Sequence, residues 1–273
     1  GIVQIGDQQL ADRYTYVPLS GIAVALVWLA TDMAESRASM RKLAWAAGTL
    51  LLLLSATAFA QTRHWNNSVT LFQHALAVGS ECSLVHNNLG SALEAQGRFE
   101  EALPHYQQAI AIDPDDALGH VDLGSALEKS GRTQEALEQL RTAVAIDPEM
   151  ALARSNLGGL LLRLGEQAAA ISQLQEAVRL DPEMVQAHYN LAVALSAAGR
   201  GEEAIRHNQA ALDLQPDNAA AHNNLANELA RSGQIDAAIE HVEEAVRLDP
   251  LFARAHYNLA ALLMSRRQDR DKA

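Results

Sequence analysis

A single cysteine, Cys82, stands in the 273 residues. That excludes an internal disulfide framework and any multi-cysteine metal site. Aromatic residues make up only 4% of the chain. A core with few aromatics and much alanine points to helices packed at short range rather than to a sheet. Positive charge is also short: 21 Lys and Arg face 33 Asp and Glu, for a formal net charge of −12. A general nucleic-acid binder needs a basic surface to neutralise phosphates, so nucleic acid is not an expected partner. What is abundant is apolar residues, 49% of the chain. That is too many for a disordered polymer, and the length allows one or two domains.

The charge is unevenly spread, and the chain divides near residue 62. Residues 1–62 hold Asp7, Asp12, Asp32 and Glu35 against Arg13, Arg37, Arg41 and Lys42, a sum of zero. The remaining 29 acids and 17 bases, and so the whole −12, lie in residues 63–273. The first part also contains two runs without charge, Tyr14–Thr31 (18 residues) and Leu43–Thr62 (20 residues). About 20 apolar residues span a bilayer as a helix. The runs therefore predict two transmembrane helices, about 14–31 and 43–62, the first weakened by Pro18, Ser20 and Gly21. A buried helical hairpin in a soluble protein is the alternative. Two runs argue against a signal peptide, and an opening Gly1 in place of Met reads as the loss of the true start. Arg37, Arg41 and Lys42 crowd the loop between the runs. The bias of basic residues toward cytoplasmic loops puts residues 32–42 in the cytoplasm, and everything after residue 62 in the periplasm or a secretory lumen.

From residue 83 the chain repeats every 34 residues: 83–116, 117–150, 151–184, 185–218 and 219–252. A half unit, 63–82, precedes them with only a second helix, and a partial unit, 253–273, follows. The seventh place is always leucine (Leu89, Leu123, Leu157, Leu191, Leu225, Leu259) and the eighth is Gly or Ala. Leu recurs at the eleventh place of all five full units. Gly97, Gly131, Gly165, Gly199 and Gly233 end the first helix of each unit, since glycine takes the left-handed cap geometry without steric cost. Alanines return at two fixed places of the second helix, and Pro114, Pro148, Pro182, Pro216 and Pro250 close each unit. Leucines three and four apart make an apolar stripe, and small residues opposite let helices approach. One helix pair cannot bury both its faces, so the units must stack.

This pattern resembles the tetratricopeptide repeat, fully over residues 83–252 and in part over 63–82 and 253–265. The resemblance implies an all-α solenoid, a right-handed superhelix of antiparallel helix pairs whose concave groove binds peptides or proteins. Two residues depart from the pattern: Asn208 stands where an aromatic or aliphatic residue is expected, and Glu228 replaces a small one. Looser packing is expected there. Helix 253–265 is amphipathic, and the tail RRQDRDKA does not cover it, so the chain reads as a piece of a longer one.

One ladder singles out candidate ligand contacts. The sixth place reads Asn88, Asp122, Asn156, Asn190, Asn224, Asn258. Asparagine is a mediocre helix former, so propensity does not select it. Its amide both donates and accepts, which suits a peptide backbone of any sequence. The string A-H-x-N-L-G/A resembles the repeats of O-linked N-acetylglucosamine transferases, and that resemblance implies that these six residues grip extended polypeptide. The alternative is local hydrogen bonding between helices. A second ladder, His86, His120, His188, His222 and His256, is broken by Arg154. Repeats stacked 8–10 Å apart cannot share a metal whose ligands sit about 2 Å away, so no metal is expected and these histidines read as packing groups. A role in sensing pH stays open. The fifth places (Asn87, Val121, Ser155, Tyr189, Asn223, Tyr257) lack the lysine of a carboxylate clamp. Cys82 has no base nearby in sequence and reads as structural. Asn66-Asn67-Ser68 is a glycosylation sequon, meaningful only in a eukaryotic lumen. No phosphate loop, catalytic residue or cofactor motif is visible.

The segment VQIGDQQLADRYTYVPLSG (residues 3–21), the two apolar runs and HWNNSVTLFQHAL (64–76) together resemble a membrane junction. Its kind occurs in many-spanning O-mannosyltransferase-like proteins with C-terminal tetratricopeptide repeats. That resemblance implies a lumenal or periplasmic array and a catalytic centre upstream, whose carboxylates lie outside these residues. Two functions follow from the sequence. One is the acceptor-recruiting repeat module of a membrane glycosyltransferase. The other is a membrane-anchored scaffold without chemistry. A soluble sugar-nucleotide transferase is disfavoured by the apolar runs.

Overall fold

The computed structural model describes residues 45–56 and 67–272, with side chains as far as Arg267. The expected span 14–31 lies outside the described residues, and of the span 43–62 only 45–56 lies within them. That stretch is helical (α1, residues 45–56), with Trp45 and Leu50 to Leu53 exposed. No helix among the described residues is long and apolar enough to cross a membrane.

Twelve further helices follow among the described residues. The first three are α2 (Ser68–Ala77), α3 (Ser83–Glu94) and α4 (Phe99–Ile112). Next come α5 (Ala117–Lys129), α6 (Thr133–Ile146), α7 (Ala151–Arg163), α8 (Gln167–Leu180) and α9 (Val185–Ala197). The last four are α10 (Gly201–Leu214), α11 (Ala219–Arg231), α12 (Ile235–Leu248) and α13 (Ala253–Lys272). The described residues contain no strand. The first helices begin at Ser83, Ala117, Ala151, Val185, Ala219 and Ala253, the first place of each 34-residue period. The last helix runs on through the polar tail to Lys272 instead of ending near residue 265.

The chain forms two compact units, Gly1–Pro114 and Asp115–Ala273. In the first, α2 packs on α3 and α3 on α4. In the second, every helix from α5 to α13 packs on the next, and first helices of successive periods also touch. This is the stacking that half-apolar helix pairs require. The core is built from the periodic leucines and alanines: Leu89, Leu191, Leu195, Ala136, Ala170 and Ala204 are fully buried. Each buried leucine contributes about 1.5–3 kcal/mol of transfer free energy.

Two local devices fix the turns. Gly131, at φ 77°, closes α5: its N–H donates to Glu128 O at 2.9 Å, and Arg132 N–H donates to Leu127 O at 2.8 Å. This six-to-one, five-to-two closure needs a left-handed residue, hence glycine. At the unit ends, Asp147, Asp181 and Asp249 accept from the N–H two residues on at 2.9–3.0 Å, clamping the Asp-Pro corner.

The eighth place is small for a steric reason. A Cβ on Gly158 would fall 2.5 Å from Leu174 Cγ, and one on Gly124 would fall 2.9 Å from Leu140 Cγ. Where the facing residue is the smaller Asn208 or Val242, the eighth place is Ala192 or Ala226.

Candidate functional site

The six ladder residues, Asn88, Asp122, Asn156, Asn190, Asn224 and Asn258, all lie half-buried on the first helices of their units. Half-burial follows from their place beside the core leucine. Two ladder amides hydrogen-bond to the preceding first helix. Asn156 Nδ2 donates to Ser125 Oγ at 3.4 Å, and Asn258 Nδ2 donates to the buried Asn223 Oδ1 at 2.8 Å. Asn190 accepts at Oδ1 from Gln186 at 2.9 Å, and its Nδ2 lies 3.2 Å from where a Cβ on Gly159 would be. Asn88 Nδ2 is buried and has no hydrogen-bond partner.

The histidine ladder has partners that its periodicity did not reveal. Each fourth-place residue faces the twenty-third place of its own unit, on the second helix. His86 meets His105, His188 meets His207 and His222 meets His241, Nδ1 to Nδ1 at 3.2, 3.1 and 3.0 Å. The ring centroids lie 5.2–5.5 Å apart. In the other two units His120 Nδ1 donates to Gln139 Oε1 at 2.7 Å, and Arg154 Nη1 donates to Gln173 Oε1 at 3.0 Å. The fourth place also reaches back to the corner before its own helix. His188 and His222 Nε2 lie 3.0 and 3.1 Å from the carbonyls of Pro182 and Pro216, and Arg154 Nε donates to that of Pro148 at 2.7 Å. A carbonyl only accepts, so Nε2 of His188 and His222 carries hydrogen and Nδ1 is the acceptor. His207 and His241 then donate from Nδ1. Burial pushes His105, His207 and His241 below the ordinary histidine value, and the facing histidine pushes them further. The signal for these partners was present in sequence as His or Gln nineteen residues after the fourth place.

The two departures from the repeat pattern meet. Asn208 and Glu228 are 1% and 5% exposed and border one cavity of about 220 Å³, together with Ser196, Asn224 and Arg231. Glu228 Oε1 accepts from Ser196 Oγ at 2.6 Å and from Arg231 Nη1 at 2.5 Å, and Arg231 Nη1 also donates to Ser196 Oγ at 3.0 Å. Sequence reading found both residues but not their meeting, because they belong to different units. Cys82, expected to be structural, precedes α3 and is exposed. Among the described residues no group of three or more His, Cys, Asp and Glu comes together as a metal cage.

Family models described as tetratricopeptide repeats match residues 45–115, 80–149, 121–182, 160–219 and 207–240, and one described as TPR repeat matches 226–265. The chain belongs to the tetratricopeptide repeat family. Solved tetratricopeptide structures share its fold. One is YrrB, described as a TPR protein with an unusual peptide-binding site. It is 23% identical, with a TM-score of 0.55 over 68% of this chain and 96% of that one. Another belongs to the APC/C hetero-tetramer Cut9–Hcn1, at 18% identity and a TM-score of 0.66 over 88% of this chain and 45% of that one. Among curated proteins, Protein O-mannosyl-transferase TMTC3 of Homo sapiens is 32% identical over 97 residues, 35% of this chain. Its counterpart in Drosophila melanogaster is 33% identical over 97 residues, 34% of this chain. The chain covers 10% of the length of each of these relatives.

Proposed function

We propose that this tetratricopeptide module binds extended polypeptide through Asn88, Asp122, Asn156, Asn190, Asn224 and Asn258. It would do so as the acceptor-recruiting part of a membrane-bound glycosyltransferase. The observation that carries this reading is the recurrence of a half-exposed amide or carboxylate at one place of six successive first helices. Such residues offer an acceptor at every period and a donor at every period but that of Asp122, which suits an extended backbone. The O-mannosyl-transferase relatives supply the enzymatic context. Membrane anchoring through residues 14–62 is supported by the two uncharged runs and by the exposed leucines of α1. The basic residues Arg37, Arg41 and Lys42 support an array on the periplasmic or lumenal side. A membrane-anchored scaffold is the second reading, favoured by the small share of the relatives that the chain matches.

The test replaces Asn156, Asn190 and Asn224 together by alanine and measures binding of a labelled serine- and threonine-rich extended peptide. Three hydrogen bonds at about 1 kcal/mol each predict an affinity loss of about 100-fold, with helicity retained. Unchanged affinity in a folded triple variant would remove the ladder from the binding surface.

A further inference from the structure

Three places in the repeat that are apolar or bulky elsewhere become polar or empty at one point in the second compact unit. At the tenth place Ala92, Ala126, Leu160, Ala194 and Leu262 give way to Glu228. At the twenty-fourth, Tyr106, Leu140, Leu174 and Val242 give way to Asn208. At the seventeenth, Phe99, Thr133, Gln167 and Ile235 give way to Gly201. The helices that carry them, α10 and α11, bring all three together. A Cβ on Gly201 would lie 3.1 Å from Glu228 Oε2, and Asn208 and Glu228 border the same cavity.

As a structural element this arrangement is costly. Asn208 Oδ1 is sealed from solvent and has no hydrogen-bond partner. A buried acceptor left unmade is among the more destabilising features of a protein interior, and the shortened side chain leaves open volume as well. Glu228 is a buried carboxylate whose two bonds both land on Oε1. Its other oxygen, Oε2, faces the gap left by Gly201. Neighbouring units show that alanine and leucine fill these places without such defects.

We propose that this cavity is a side-chain pocket for a carboxamide, the glutamine or asparagine of a polypeptide lying on the asparagine track. The proposal rests on the polypeptide-binding reading above. The most buried side chains lining it are Asn208, whose Oδ1 has no partner, and the Glu228 carboxylate, so the entering group must donate. The rim carries the guanidinium groups of Arg231 and Arg254 and the amide of Asn227, so it must also accept. An ammonium would face the two guanidinium groups, and a carboxylate would face Glu228 and Asn208 Oδ1. A neutral carboxamide donates inward from its nitrogen and accepts outward at its oxygen, and so satisfies both ends. Tyr189 and Val193 offer apolar wall to its methylenes. Asn224, a member of the ladder, lines the same cavity, so the pocket opens onto the proposed track.

The test uses a host peptide of alternating alanine and serine with one central residue varied among glutamine, leucine, glutamate and lysine. Binding to the full chain is read by fluorescence anisotropy. The glutamine peptide is expected to bind about ten-fold tighter than each of the others, the effect of one satisfied buried acceptor. In N208V/E228A, which sets against Ala192 the valine that Val242 sets against Ala226 and gives the tenth place its common alanine, the preference should fall to about two-fold or less. Circular dichroism confirms that this variant folds, and restoration of the pattern makes it at least as stable as the parent. Equal affinity for all four peptides would overturn the pocket and mark the cavity as water-filled, while leaving the polypeptide reading standing. Tight binding of the glutamine peptide that survives unchanged in N208V/E228A would also overturn it. Failure of every peptide to bind would overturn the polypeptide reading and the pocket with it.

Discussion

His188 and His207 share one hydrogen bond between their Nδ1 atoms at 3.1 Å, while His188 Nε2 donates to the Pro182 carbonyl. The pair joins the two helices of one unit and ties both to the corner before them. It tolerates at most one additional proton, since two imidazolium rings would set donor against donor. The facing charges differ between units: Glu203 and Arg206 lie near His207, Glu240 near His241, Glu244 near His222 and Glu81 near His86. The folded values of His105, His207 and His241 lie below the unfolded one, chiefly through burial. The unfolded chain therefore binds more protons, and stability falls with falling pH. The contribution is complete above the ordinary histidine value near 6.5 and is lost as pH drops from there through the lowered folded values. Thermal melts between pH 8 and pH 5 should show a plateau followed by a decline beginning near 6.5. The variant H105Q/H207Q/H241Q should flatten that decline, since glutamine does not titrate and Gln139 already holds the facing place against His120. A decline of the same size in the variant would assign the pH dependence elsewhere.

The pairing of Gly158 with Leu174 supports a double-mutant cycle. Gly158→Ala inserts a methyl where Leu174 Cγ already stands, and should cost about 1–3 kcal/mol by overpacking. Leu174→Val alone removes buried volume and should cost about 1 kcal/mol. Combined, they reproduce the Ala226 and Val242 pair of the fifth full unit. The double variant should then be more stable than the sum of the single losses by about 1 kcal/mol. Strict additivity in urea unfolding would show that the two places are not coupled.

Much of the fold is legible in the sequence because its information is periodic. The 34-residue spacing places the helix starts, the positive-φ glycines and the leucine stripe, since each obeys one local rule repeated many times. The covariation of the eighth place with the twenty-fourth is legible too, once volume is compared across units. Relations without an invariant identity escape the reading. The partners of the histidine ladder alternate between His and Gln, so no single letter marks them. Asn208 and Glu228 are visible as separate departures, but only the stacking of α10 on α11 brings them to one cavity. The asparagine ladder is legible as a pattern, yet its contacts with the preceding first helix depend on the offset between units, which sequence does not state.

Helix capping differs between units that are otherwise alike. Asn218 precedes α11 at φ −82°, ψ 92°, and its side chain accepts from Ala221 N–H. Met184 precedes α9 at φ −75°, ψ 93°, with no side-chain cap. The backbones are equivalent, so the cap contributes without altering the path. Asn218→Ala should cost about 1 kcal/mol, and Met184→Asn should recover part of that by placing the same acceptor before α9. Urea unfolding followed by circular dichroism measures both. A destabilising Met184→Asn would mean that the lost methionine packing outweighs the new cap.

Cys82 gives the proposed membrane orientation a direct readout. It is the one cysteine of these 273 residues, and it is free and exposed immediately before α3. Its place follows the residue 43–62 run by only about one helix, so its side of the membrane is that of the repeat array. If Arg37, Arg41 and Lys42 hold their loop in the cytoplasm, Cys82 lies on the opposite face. A membrane-impermeant maleimide applied to intact spheroplasts or sealed vesicles of that orientation should then label it as fully as after detergent permeabilisation. A Cys82→Ser variant sets the background from any cysteine elsewhere in a parent protein. Labelling that appears only after permeabilisation would place the array in the cytoplasm. It would also separate the peptide-binding reading, which does not depend on the compartment, from the glycosyltransferase reading, which requires a lumenal or periplasmic acceptor.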